Sequence, residues 1–121
     1  MELNHDCVCT LLLEIESNTK FGNPLTEHNF KDNAVFNEYD FETVMYALLK
    51  LEQAKFISVN FVWEDGYIYG YTINDITWSG HEFLHNIRDT HTWKEVKKVA
   101  NKTTSMSVTL LSKLAFYYLT Q

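Results

Sequence analysis

The chain has 121 residues, 45% of them hydrophobic and 15% aromatic, with one Pro and four Gly, which supplies one core and excludes a disordered or linker-rich protein. Its net charge of −6 is uneven: residues 1–89 hold five Lys/Arg against fifteen Asp/Glu, residues 90–121 five Lys against one Glu, so only the C-terminal quarter would attract an anion. No cationic start with an apolar run appears, nor a stretch near the roughly 20 apolar residues of a membrane span, so a cytoplasmic protein is expected.

From Asn4, a capping residue, Val8, Leu11, Leu12 and Ile15 recur at helical spacing and predict a first helix to about Ser17. Cys7 and Cys9 fall inside it, two apart, a spacing that suits neither a disulfide nor a zinc knuckle, so reduced thiols are expected. Residues 18–40, with Gly22, Pro24 and five Asn, show no sustained period and read as loop with one short strand or turn of helix. Asp40 then caps a second helix, its apolar stripe carried by Phe41, Val44, Met45, Leu48 and Leu51.

Two alternating runs follow, Ile57, Val59, Phe61 and Trp63 on one face, then Tyr67, Tyr69, Tyr71 and Ile73. Glu64-Asp65-Gly66 between them predicts a β-hairpin with an Asp-Gly turn. A third helix begins at Thr77 or Ser79, the latter at capping-box spacing from Glu82, with Phe83, Leu84 and Ile87 on one face. Asp89-Thr90 caps a helix through Trp93, Val96, Val99 and Ala100 to about Asn101. A final helix from about Ser105 carries Val108, Leu111, Leu114, Ala115 and Tyr118 on one side and Leu110, Phe116, Tyr117 and Leu119 on others, more apolar surface than one contact absorbs.

The order of a striped helix, Leu48-Leu49-x-Leu51-x-x-Ala54-x-Phe56-Ile57, a hairpin, and Ile76-Thr77-x-x-Gly80 opening a helix resembles winged-helix domains. More specifically, Ile76-Thr77-Trp78-x-Gly80-His81-Glu82-Phe83-Leu84, with Ile87-Arg88-Asp89 and Trp93 after it and Leu3-Asn4-x-Asp6-Cys7-Val8 before, resembles an uncharacterised family of short phage and prophage proteins, a domain of unknown function. The resemblance implies a phage context and an α+β, winged-helix-like fold, with no activity attached. A winged-helix-like domain is expected over 1–89 and a C-terminal helical extension packed on it over 90–121, the surplus apolar surface of its last helix suiting self-association. The resemblance also implies an Asp at the position of His85, which weighs against a metal role there.

One motif carries chemistry. His81-Glu82-x-x-His85 is the spacing that sets two imidazoles one turn apart for zinc with Glu82 as base, and His91 stands where an extended motif supplies its third ligand, with Met106 as a methionine turn. That extended motif needs Gly where this chain has Arg88, because the helix must break sharply, and His81 falls in the first turn. A zinc metallopeptidase is therefore the weaker alternative, and no cofactor, metal or catalytic residue is expected. No phosphate loop or nucleophile elbow is present.

A second alternative is a winged-helix DNA-binding transcriptional regulator. The helix from Asp40 would read DNA, yet its exposed face offers Glu42 and Glu52 against one Lys50, and the hairpin tip is acidic at Glu64 and Asp65. Only Lys94, Lys97, Lys98 and Lys102, on one helical face, suit phosphate, so nucleic-acid affinity is expected to be weak. The preferred reading is a small phage-type binding protein that acts through Tyr46, Trp63, Tyr67, Tyr69, Tyr71, Phe116 and Tyr117 on a host or phage protein, for example inhibiting a defence or regulatory protein. Exposed aromatic side chains are those that carry protein interfaces.

Overall fold

The computed structural model describes residues 1–102 and 106–120. The elements in order are α1 (His5–Asn18), β1 (Leu25–Thr26), α2 (Glu27–Phe30), α3 (Val35–Glu38), α4 (Phe41–Gln53), β2 (Ile57–Glu64), β3 (Tyr67–Ile76), α5 (Trp78–Ile87), α6 (Thr90–Ala100) and α7 (Val108–Leu119). The fold is α+β, with the strands forming one antiparallel sheet in the order β1-β3-β2.

The helix starts follow from their caps. Asn4, Asp40, Thr77, Asp89 and Ser107 each accept the backbone N–H of the residue three positions later, which satisfies a donor the helix itself leaves free. Thr77 is thus the cap of α5; Ser79 lies within the helix and forms no capping box with Glu82. Ser107 starts α7 two residues later than expected, and Ser105, the anticipated start, is outside the described residues.

Residues 18–40 hold more structure than their composition suggests. Leu25 and Thr26 pair with Ile73 and Thr72, and the two one-turn helices after them bury Phe30 and Val35. Each contributes only one or two apolar anchors, too few to register as a period. Phe41, expected in the stripe of α4, is instead half exposed at the helix start and stacks on Phe36, with ring centroids 6.3 Å apart.

In the hairpin, Asp65 and Gly66 both have positive φ, +51° and +83°, as a two-residue turn matched to strand twist requires. Register shifts interrupt the β2–β3 ladder: Val62 faces Gly70 but Trp63 faces Ile68, so Tyr69 is the extra residue. A bulge of this kind reverses the alternation along one strand. The expectation that Tyr67, Tyr69, Tyr71 and Ile73 share a face therefore does not hold: Tyr71 and Ile73 are buried, whereas Tyr67 and Tyr69 are exposed.

One hydrophobic cluster runs from Cys7, Val8 and Leu11 of α1 through Leu48 of α4, Ile73 of β3 and Phe83 of α5 to Val96, Leu111 and Ala115. The last two helices thus share the core of the preceding residues. Burial of about 25 cal/mol per Å² of apolar surface is what holds them there.

Candidate protein-binding surface

The exposed side of α4 and the hairpin tip meet in an open apolar groove of about 300 Å³, lined by Phe41, Met45, Tyr46, Trp63, Tyr67 and Ile68 among others. Tyr67 is 75% exposed, and Phe41 and Trp63 about half. The bulge at Tyr69 is what brings Ile68 opposite Trp63 on this side. Glu42 lines the groove, and Asp40 at the start of α4 and Glu64 and Asp65 at the hairpin turn are exposed and adjoin lining residues in sequence. Lys50, the only cation of α4, lies 5.3 Å from the centroid of the Tyr46 ring and donates to Gln53 Oε1 at 3.1 Å.

A second exposed patch joins α5 to α7. Trp78, 79% exposed, and Phe116, 62% exposed, border a shallow pocket of about 310 Å³ with His81, Glu82, His85 and Asn86. Tyr117 and Leu110 extend the apolar surface of α7 while Val108, Leu111 and Ala115 are buried. Tyr117 packs edge-on against Tyr118, at a centroid distance of 5.2 Å.

Of the expected aromatic contacts, Tyr46, Trp63 and Tyr67 come together at the groove, and Phe116 and Tyr117 lie on α7. Tyr69 is exposed on the hairpin, 71% accessible. Tyr71 is corrected: it is buried opposite Phe61, and burial, then the Glu27 carboxylate, push its hydroxyl up to about 12. Sequence reasoning missed Phe41 and Trp78 as surface groups. Trp78 could have been found, because nine residues put it about half a turn away from Ile87 on the helix.

The three histidines of the zinc alternative are not assembled. Arg88 keeps right-handed helical angles at the end of α5 and pairs with Glu16, and Asp89 then caps a new helix whose first turn holds His91. Among the described residues no group of three or more His, Cys, Asp or Glu could hold a metal ion. Met106 is not a methionine turn below a metal; it is buried in the core, and its carbonyl accepts from His5 Nε2 at 3.1 Å.

The lysine face of α6 is partly neutralised. Lys97 pairs with Asp6 at 2.9 Å and Lys98 with Glu95 at 3.1 Å, while Lys94 and Lys102 are exposed. Cys7 and Cys9 are free thiols, both pushed up to about 11, chiefly by burial. No described helix is long and apolar enough to cross a membrane.

The model of a protein family described as "Hypothetical protein (DUF2513)" matches residues 2–107. No curated protein and no solved structure matches the chain.

Proposed function

We propose, for a chain that belongs to this DUF2513 family of hypothetical proteins, a non-enzymatic binding role exercised through protein contacts. The observation that carries the reading is the groove between α4 and the hairpin tip, where solvent-facing Phe41, Trp63 and Tyr67 stand among carboxylates. Aromatic side chains at a concave apolar surface favour a protein partner, and like charge disfavours a phosphate backbone. The resemblance of the Thr77-to-Leu84 motif to phage proteins supports a phage-type protein working in the bacterial cytoplasm. There it would bind a host or phage protein and block a defence or regulatory activity.

A DNA-binding regulator is the second reading, favoured by one observation. The order α1, β1, the short helices, α4 and then a hairpin, with sheet order β1-β3-β2, supports a winged-helix reading, in which α4 would be the reading helix and the hairpin the wing. The acidic rim argues against that use of the fold. The deciding experiment is affinity purification of the tagged protein from a bacterial host, with proteins identified by mass spectrometry, alongside a Trp63→Ser/Tyr67→Ser variant. A protein retained by the wild type and lost by the variant supports the reading. Retention of specific DNA with no protein overturns it.

A further inference from the structure

Resting on the protein-binding reading, we propose that the groove between α4 and the hairpin tip takes a net-cationic segment of a partner protein, anchored by apolar side chains and flanked by Lys or Arg. The apolar anchors follow from the floor, which Met45 and Ile68 supply together with the rings of Phe41, Trp63 and Tyr67. The flanking cations follow from the carboxylates beside it, of which Glu42 lines the groove. Asp40 and Glu42 mark the start of α4, and Glu64 and Asp65 mark the turn, all four exposed.

Lys50, the one basic residue of α4, keeps its charge, but it donates to Gln53 and lies over the Tyr46 ring and does not line the groove. Hydrogen bonds from the Thr43 side chain and then from its N–H, at 2.8 Å, hold the Asp40 carboxyl below the ordinary range. The surrounding body adds to the field, with fifteen acids and five bases over residues 1–89. An acidic partner would be repelled by these carboxylates, whereas a basic one is steered in and held by its apolar residues.

The test is selection of binders from a random 16-residue peptide library against the full chain, with counter-selection on the Trp63→Ser/Tyr67→Ser variant. Selected sequences should carry spaced apolar residues and an excess of Lys and Arg. As synthetic peptides they should bind at least tenfold more weakly to that variant, and about threefold to tenfold more weakly to Glu42→Gln/Glu64→Gln/Asp65→Asn, with affinity falling as salt rises. Neutral or acidic selected peptides, insensitive to salt, would overturn the cationic partner and leave the protein-binding reading standing. No enrichment over the variant would overturn docking in the groove. Competition of the peptides by duplex DNA at equal affinity would overturn the proposal and the protein-binding reading together. Loss of binding on dilution in step with dimer dissociation would assign the groove to a second copy and overturn it as well.

Discussion

Gly80 sits so close to Phe56 that a Cβ on it would lie 2.0 Å from the Phe56 carbonyl oxygen and 2.8 Å from Ile76 Cγ2. The same carbonyl accepts the Thr77 N–H at 3.0 Å. The Thr77 hydroxyl donates to the Lys55 carbonyl at 2.7 Å and accepts from Gly80 N at 3.1 Å. Thr77-x-x-Gly80 is therefore a joint that fixes the start of α5 to the α4–β2 turn, where Lys55 has a φ of +65°.

The joint predicts a large stability effect from a small substitution. Gly80→Ala should cost about 3 kcal/mol, because backbone rather than a flexible side-chain tip blocks the methyl. Thr77→Ala, which loses the cap and one hydrogen bond, should cost about 1–2 kcal/mol. Urea unfolding reads both as a lower midpoint at unchanged slope. A neutral Gly80→Ala would show that α5 is not seated on Phe56.

Alkali should destabilise the fold in a defined window. Cys7 and Cys9 rise from 9.0 to about 11, and Tyr71 from 10.0 to about 12, each led by burial. Their protonated forms are favoured by folding, so this stability is complete below pH 9 and is lost as pH rises through the folded-state values. For fully buried Cys7 the loss amounts to about 2 kcal/mol. Denaturant midpoints should be flat from pH 7 to 8.5 and fall steeply from about 9 to 12. Cys7→Ala should flatten the part between about 9 and 11, and an unchanged slope would refute the assignment.

The surface of α7 predicts self-association. Leu110, Phe116 and Tyr117 are exposed on a helix whose other side is already buried by α5 and α6, and Trp78 adjoins Phe116 across the shallow pocket. Light scattering should give a dimer at micromolar concentration that weakens when Phe116→Ser and Leu119→Gln are combined. A monomer throughout that range would sink the prediction.

The elements that repeat at a clean period were legible in the sequence. Val44, Leu48 and Leu51 in α4 and Phe83, Leu84 and Ile87 in α5 are buried as their spacing indicates. What was hidden depends on partners distant in sequence. The strand at Leu25 is two residues long and exists because Ile73 and Thr72 pair with it, and the bulge at Tyr69 inverts faces that simple alternation assigns. The aromatic surplus signalled that aromatic side chains would be left exposed. Its division between a groove and the α5–α7 patch, and the loss of Tyr71 from it, required the register.

Nucleic-acid binding should be weak, indifferent to sequence and confined to α6. Lys94, Lys97, Lys98 and Lys102 could neutralise at most about four phosphates, a slope of log K against log salt no steeper than roughly −3.6. Lys97 and Lys98 already hold Asp6 and Glu95, so the slope should lie nearer −2, the value for about two phosphates. On α4, Gln53 near the helix end has the chemistry to read a base edge, and its carbonyl oxygen accepts from Lys50. Fluorescence anisotropy with random duplex DNA should show binding that fades at about 0.15 M salt, and Lys94→Ala/Lys97→Ala/Lys98→Ala should abolish it. Nanomolar affinity for one sequence at that salt, untouched by the lysine substitutions, would move function to α4 and the hairpin and restore the transcriptional regulator.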